Sequence, residues 1–375
     1  MRRTFKYRVY ANRETIGKTE KALSLCRDVY NVCLEQRRDA WKLYKRSVSC
    51  HEQIKQLPEL KKELPEFKLV PSQTLQNVVE RVDKAFRGYF RRVKSGKKPG
   101  YPRFKTASRY NSLTLKQSGW KLEGNKLRIN KLGDFKVKLH RPIMGEVKTV
   151  TVSRSASGKW YACFSCGGVE PKPLPKTGKA AGIDVGCESF LTDSGNRKVK
   201  NPRFLRQKEK LIGERQRSLS KKKKGSKGSK KARKLLALAC EEAANARKDF
   251  HFKAAKQLLR ENDVIYIEDL RSWNGPRGLN KSMRDAGWFR FFEILLFKAE
   301  EAGKEVIKVP AGNTTQKCSR CGEIVRKELS DRVHDCPFCG FRADRDYNAA
   351  LNIYRIGASL RGKELPREAP CGSTG

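Results

Sequence analysis

Two short apolar runs that each end on a carboxylate constrain this chain more than any other feature. Ala180-Ala-Gly-Ile-Asp184-Val-Gly186 reads as a short buried strand with one charge at its far end, beside a glycine that lets a phosphate backbone come close. Val264 to Ile267 does the same for Glu268. A third acid, Asp346, precedes Asn348, Ala349, Ala350, Leu351, Ile353 and Ile356, whose spacing is helical, so it projects from a helix's first turn. Two strand ends and one helix start can converge on a single point.

Such a convergence suits phosphodiester hydrolysis. The reaction needs an activated water and a stabilised leaving oxyanion, and two divalent ions about 3.5 to 4 Å apart supply both. Magnesium prefers carboxylate oxygens, waters and substrate phosphate, which matches an Asp/Glu/Asp set without histidine or cysteine. Asp184, Glu268 and Asp346 are therefore the expected catalytic and Mg2+-ligating residues of a metal-dependent nuclease. A single acid at a strand end is more often a solvated turn or cap residue, so the set in its contexts carries the reading.

Between the second and third acids stand Cys318-x-x-Cys321 and Cys336-x-x-Cys339, each pair followed by a glycine, Gly322 and Gly340. Two such knuckles place four thiolates tetrahedrally, and with every position filled by protein the site is structural. One Zn2+ is expected, with iron the lesser alternative. His334 is surplus to the set, and the ribbon's expected task is to position Asp346. Cys163 and Cys166 resemble half a metal site, but strand residues three apart point to opposite faces, so they are expected to be structural.

Charge points to the partner. Lys plus Arg number 84 against 40 for Asp plus Glu, a net charge of +44 with a pI near 10.1. So large a single-sign excess opposes compaction unless phosphate neutralises it. A duplex or hybrid of ~20 base pairs carries about 40 phosphates, the same order as this excess. The 12 cysteines do not form a secreted disulfide framework, since four make the metal cluster and the others are scattered in apolar contexts. The Met-Arg-Arg-Thr-Phe-Lys start lacks a signal-peptide core, and no run approaches the ~20 apolar residues that span a bilayer. The expectation is a soluble cytoplasmic protein associated with the nucleoid, prokaryotic in source, with no membrane partner.

Along the chain, residues 4–10 alternate as a strand, and a helix follows with Ala22, Leu23, Cys26, Val29, Tyr30, Cys33 and Leu34 on one face. A loop from Ser47 to Pro71 leads to a second helix with Ser72 as N-cap and an apolar stripe from Leu75 to Phe90. Ser72, Gln73, Gln76 and Asn77 in its first turns could read base edges, or equally form an ordinary polar face. From about Arg103 to Gly167 the chain is strand-rich, with Arg103, Lys105, Tyr101, Phe104, Tyr110 and Trp120 interleaved in the mix that tracks phosphates and stacks bases. Strands over Lys121–Leu139 and Val147–Phe164 suggest a small barrel that the first strand completes.

A proline-rich linker, Pro171 to Lys179, precedes the Asp184 strand and a hairpin turning at Asp193–Asn196. Two long helical patterns between Phe204 and Asn262 flank a lysine-rich loop, and a helix from about Asp285 to Ala302 precedes a strand through Val309. The resulting β-β-β-α-β-α-β order, with acids on its first and fourth strands, is the pattern of a ribonuclease-H-like sheet. The stretch from about Gly357 to Gly375 is rich in Gly, Pro, Ser and charge and is expected to be disordered.

The motifs GIDVG (182–186), IEDL (267–270), TTQKCSRCG (314–322), CPFCG (336–340) and DRDYNAALNI (344–353) occur in this order. Upstream lie LQNVVERVDKAFRGYFRR (75–92) and KPGYPRFK (98–105). Together they resemble the TnpB family, transposon-encoded RNA-guided DNA endonucleases related to the miniature type V CRISPR effectors, over nearly the whole chain. The resemblance implies a wedge (WED) β-barrel over 1–12 and 97–172, interrupted by a helical recognition (REC) lobe over 13–96. It further implies a RuvC-like nuclease domain over 178–312 and 342–357 and a zinc ribbon over 313–341, leaving outside it the tail over 358–375 that composition marks as disordered. Asp184, Glu268 and Asp346 match the family's catalytic positions, and Asp344 could instead cap the helix.

The resemblance also implies a guide RNA from the transposon end, a double-stranded DNA target with a short adjacent motif read by the N-terminal half, and one protein per RNA. Sequence choice would be delegated to base pairing, and the RuvC site would cut displaced single strands to 5′-phosphate and 3′-hydroxyl ends. Nothing supplies a tyrosine nucleophile for strand transfer. Two other readings stand beside this one: an RNA-guided DNA-binding repressor without cleavage, and a stand-alone structure-selective nuclease. The intact acid set disfavours the first, and the basic N-terminal half and zinc ribbon disfavour the second.

Overall fold

The structure, a computed structural model, describes residues 1–116, 118–270, 279–328 and 330–362. The chain divides into two compact units, Met1–Glu170 and Pro171–Gly375.

The first unit opens with β1 (Arg3–Tyr10), whose alternation buries Phe5, Tyr7 and Val9. Helix α1 (Arg13–Tyr44) starts where Asn12 accepts from the Thr15 N–H, and it buries the apolar face expected from its spacing. The stretch expected as a loop instead folds into α2 (Cys50–Lys55), α3 (Leu57–Glu63) and a 3-10 turn over Pro65–Leu69. Its missed signal is a capping box, Ser49 with Glu52 three residues on. Helix α4 (Ser72–Lys94) is capped by Pro71, so Ser72 is its first helical residue and not its N-cap; the Ser72 hydroxyl instead accepts from Lys61 Nζ at 2.9 Å. The stripe is buried through Val82, but Phe90 at its end is exposed.

Six strands follow: β2 (Ser112–Leu115), β3 (Trp120–Glu123), β4 (Lys126–Ile129), β5 (Gly133–Val137), β6 (Glu146–Arg154) and β7 (Trp160–Gly167). They pair antiparallel with β1 in the order β2-β6-β7-β1-β5-β4-β3. The sheet curls into a nearly closed barrel, with Trp120 of β3 packing edge-on to Phe164 of β7 at 6.2 Å. The first strand is thus its central joint. Residues 103–111 precede the strands rather than belonging to them, and Tyr110 is buried. Cys26, Cys33 and Cys166 are core residues.

In the second unit the proline-rich segment is fastened down: the Lys172 and Leu174 N–H groups donate to the Glu301 and Ala302 carbonyls at 2.8 and 2.9 Å. Strands β8 (Ala180–Asp184), β9 (Ser189–Asp193) and β10 (Lys198–Lys200) form an antiparallel meander turning at the expected residues. Helices α5 (Phe204–Gln207), α6 (Glu209–Ser220) and α7 (Lys227–Glu261) lead to β11 (Val264–Glu268). Then come α8 (Leu279–Ala286), α9 (Trp288–Ala302) and β12 (Glu305–Val309). The helix expected from about Asp285 to Ala302 is α9; it starts at Trp288 because Gly287, with φ of 68°, separates it from α8.

The sheet order is β10-β9-β8-β11-β12, with β8, β11 and β12 mutually parallel. Residues on alternate sides of each strand feed two cores. Ile183, Ile265 and Ile267 pack with α7 and α9 on one face, while Val264, Tyr266 and Val309 meet Ile353 on the other. That second face belongs to α10 (Arg345–Leu360), reached through the cysteine-bearing segment and the hairpin of β13 (Val333–Asp335) and β14 (Arg342–Asp344). The helix runs to Leu360 with Ala358 buried, so order extends past the expected start of the tail; residues beyond 362 lie outside the described ones. Among the described residues no helix is long and apolar enough to cross a membrane.

Candidate active site

Parallel pairing fixes the first two acids. Ile183 of β8 is in register with Ile267 of β11, so Asp184 and Glu268, the next residue on each, leave the sheet at the same carboxyl edge of neighbouring strands. The third arrives because α10 lies unusually close on β8. A side chain at Gly182 would place its Cβ 2.3 Å from the Ala350 carbonyl and 2.5 Å from the Tyr354 nitrogen, so only glycine admits the helix. Its first turn then carries Asp346 to the strand end, where a Cβ on Gly186 would stand 3.5 Å from Asp346 Oδ2.

All three carboxylates are half-buried. Asp184 is held well above the ordinary carboxylate range, first by burial and then by the charges of Glu268 and Asp346; Arg345 opposes the rise. Glu268 is also raised by burial, against a lowering hydrogen bond from the Thr314 hydroxyl to Oε1. Asp346 Oδ1 accepts from Arg345 Nε and Nη2 at 3.2 Å, and Arg345 Nη1 donates to the Asp331 carbonyl at 3.0 Å. Asp344 caps α10: its Oδ1 accepts from the Asp346 and Tyr347 N–H groups at 3.1 Å, and its Oδ2 accepts from Lys198 Nζ at 2.6 Å. Repulsion among clustered carboxylates is relieved by a bound cation, so the chemistry of the set fits divalent metal. A groove of about 830 Å³ opens beside Glu268, bordered by Lys308, Asn313, Thr314 and Gln316.

The four cysteines form a tighter set. Their Sγ atoms all lie within 4.8 Å of one another, with Cys318 to Cys339 at 3.7 Å and Cys321 to Cys336 at 3.6 Å. A tetrahedral zinc site with Zn–S near 2.3 Å has S···S edges of about 3.8 Å, so these residues fit the ion. Each knuckle closes by a glycine N–H donating back to the first cysteine's carbonyl: Gly322 to Cys318 at 3.0 Å and Gly340 to Cys336 at 2.9 Å. Both glycines have positive φ, 89° and 67°, which explains their place after each pair.

Of the polar residues expected at the start of α4, Gln73 and Asn77 are engaged within the first unit. Gln73 Nε2 donates to Ser118 Oγ at 2.7 Å, Asn77 Oδ1 accepts from Arg81 Nε at 2.9 Å, and Gln76 is half-buried. Arg103 is exposed, while Lys105 has both backbone groups on the Asn31 amide, at 2.8 and 3.1 Å. Reading the sequence did not identify Thr314, whose partner Glu268 lies 46 residues away, or Arg345, whose pairing with the adjacent Asp346 resembles any charged pair. Thr314 opens the TTQKCSRCG motif, four residues before Cys318.

Family models match three stretches: "Cas12f1-like, TNB domain" at residues 288–353, "Probable transposase" at 164–274 and "Helix-turn-helix domain" at 1–46. In the last stretch the structure has one strand and one 32-residue helix. A putative RNA-guided DNA endonuclease of Streptomyces pristinaespiralis is 32% identical over 387 aligned residues, covering 100% of this chain and 94% of the relative. A TnpB-like protein of Acanthamoeba polyphaga mimivirus is 29% identical over 59% of this chain and 46% of its own. Among solved structures, the Cas12f1 chain in a complex with single-guide RNA and target DNA shares the fold with a TM-score of 0.59 at 15% identity, over 91% of this chain and 82% of that one. With similarity of this extent running end to end, and with the RuvC-type sheet and cysteine cluster in place, the chain belongs to the TnpB family of transposon-encoded RNA-guided DNA endonucleases.

Proposed function

We propose that this protein uses a guide RNA from its transposon end to pair with one strand of a DNA target beside a short adjacent motif, and hydrolyses DNA at Asp184, Glu268 and Asp346. The observation that carries the reading is the meeting of these three acids at the carboxyl edge of a RuvC-type sheet in a member of this family. The three carboxylates would hold two Mg2+ ions; when bound, these supply an activated water and stabilise the leaving oxyanion. The chain's own contribution is placement. The sheet fixes Asp184 and Glu268 side by side, the Asp344 cap fixes the turn bearing Asp346, and Arg345 restrains its carboxylate. Lys308 at the groove beside Glu268 offers a cation to a passing phosphate.

Cys318, Cys321, Cys336 and Cys339 would hold one structural Zn2+. The proposed division of labour assigns the barrel over 1–12 and 97–172 to the wedge, 13–96 to target and guide recognition, 178–312 with 342–357 to the nuclease, and 313–341 to the ribbon. Ser72, Gln73, Gln76, Asn77, Arg103 and Lys105 are proposed nucleic-acid contacts. The net charge of +44 supports a large RNA and DNA footprint in a particle with one protein per RNA.

The test is to express the chain with its native downstream DNA, sequence any co-eluting RNA, and assay a matched target with Mg2+. A discrete RNA with a variable 3′ end and Mg2+-dependent cutting are expected. Asp184→Ala should lower cleavage at least ~1,000-fold, equivalent to about 4 kcal/mol, and leave guided binding intact. Substantial metal-dependent cutting by that variant sinks the site assignment, and only heterogeneous RNA would favour a structure-selective nuclease.

A further inference from the structure

A chain of buried polar contacts within the second unit joins the cysteine knuckle to Glu268. Asn348, wholly buried in the first turn of α10, accepts from the Ser319 N–H at 2.9 Å through Oδ1 and donates to the Lys317 carbonyl at 2.8 Å through Nδ2. Its orientation is unambiguous, because a backbone N–H only donates and a carbonyl only accepts. Asn352, one turn on, donates to the same Lys317 carbonyl at 2.6 Å and to the Thr314 carbonyl at 2.8 Å. Lys317 and Ser319 flank Cys318, so both asparagines grip the knuckle itself. The Thr314 hydroxyl then donates to Glu268 Oε1.

Thr314 is built to hold that hydroxyl still. It is only 5% exposed, and it follows Asn313, whose φ of 54° turns the chain while its carbonyl accepts from Gln316 and Lys317 N–H groups at 3.0 and 2.8 Å. A β-branched residue with its backbone fixed has little χ1 freedom. Glu268, by contrast, is a long side chain at a strand end, with rotamer freedom that a hydrogen bond to one oxygen removes.

We infer that Thr314 is a positioning residue for Glu268, aiming its carboxylate at the reaction centre, and that Asn348 and Asn352 hand the geometry of the Cys318 knuckle to Thr314. The inference rests on the reading of Glu268 as a catalytic metal ligand. It makes the ribbon part of the nuclease centre, since displacement of Cys318 would be felt at Glu268.

The test uses the full chain with its guide RNA and matched target DNA, titrated with MgCl2. Thr314→Val should raise the Mg2+ concentration for half-maximal cleavage by about 10- to 100-fold, the usual cost of losing a group that orients a metal ligand. Target binding and zinc content should not change, and Thr314→Ser should recover most of the loss. A second readout is the Mg2+ concentration that half-saturates the rise in the complex's melting temperature, which should move in the same direction. Wild-type behaviour of Thr314→Val in both titrations overturns the inference. So does equal loss in the Val and Ser variants together with zinc, which would make the role one of packing. Glu268→Ala separates the two levels: if it still cleaves, the catalytic reading falls, whereas if it is inactive beside a normal Thr314→Val, only the positioning role falls.

Discussion

The cysteine cluster and the carboxylate cluster both gather ionisable side chains at one spot, and they do so by opposite means. The cysteines lie within 318–339 and are brought together by two knuckles whose hydrogen bonds are complete within a few residues. The carboxylates come from positions 184, 268 and 346 on three different elements, and they meet at the cost of raising Asp184 by burial and mutual charge. A local site can be finished by its own backbone. A site assembled across a sheet depends on how closely the layers pack and on how much repulsion the fold tolerates.

The largest expected effect belongs to the local site. Cys318→Ser removes a buried sulfur of the proposed zinc site, one that also accepts the Arg320 N–H at 3.4 Å. Structural zinc in such modules contributes roughly 10 to 16 kcal/mol of apparent binding energy, which is folding energy for the module. Zinc content should fall from about one per chain towards zero, with new protease sites within 313–341. Stoichiometric zinc retained at a chelator concentration that wild type resists would contradict the closed four-cysteine site.

Next comes the packing on which the dispersed site depends. Gly182→Val forces a Cβ to within 2.3 Å of the Ala350 carbonyl, so α10 must lift from β8. Overpacking of this kind costs about 1 to 3 kcal/mol or more, or roughly 2 to 4 °C per kcal/mol in a domain of this size. Cleavage should fall with no charge altered, while zinc content stays near wild type. If zinc were lost as well, the Cys318 knuckle would depend on α10, through Asn348 and Asn352, more than on its own backbone hydrogen bonds.

This contrast also explains what was legible in the sequence. Spacing alone gave the cysteine knuckles, because their geometry is local, and strand-end acids marked β8 and β11, because a charge after a buried run is conspicuous. The strand order was invisible: nothing in Ala180–Asp184 says that β11 will lie on one side and β9 on the other. Helices α2 and α3 were missed because amphipathic periodicity needs more length than six or seven residues provide, although Ser49 and Glu52 did carry a capping signal. Thr314 and Arg345 were unreadable for different reasons: the Thr314 hydrogen bond reaches a carboxylate 46 residues away and leaves no periodic trace, while Arg345 beside Asp346 looks like any charged pair on a helix's first turn.

A smaller effect separates the clusters by charge. Asp184 has its folded-state pKa raised, so the folded protein binds that proton more tightly than the unfolded chain does. The associated stability is present below the unfolded carboxylate pKa and is lost as pH rises through the raised value. Asp184→Asn escapes that loss. In buffer without Mg2+ it should melt a few degrees above wild type at pH 7 and level with it near pH 4, and Mg2+ should narrow the gap by stabilising wild type alone. A variant that melts lower than wild type at pH 7 would mean that Asp184 is held by unrecognised hydrogen bonds and not strained by its neighbours.

The smallest expected effect lies at the rim of the dispersed site. Lys198 on edge strand β10 reaches Asp344 at 2.6 Å, with 42% and 32% of the two side chains exposed. So exposed a pair is worth at most about 1 kcal/mol and is screened by salt. Yet Asp344 is also the cap that fixes the Asp346 turn, and it keeps both backbone donors without Lys198. Lys198→Ala should therefore leave melting within a degree or two and reduce cleavage less than about threefold, with the deficit vanishing at high salt. Asp344→Ala, which removes the cap itself, should do more and should not respond to salt. Equal effects of the two variants would mean that Asp346 is held by charge at the sheet edge, and the distinction between a packed site and a steered one would have to be redrawn there.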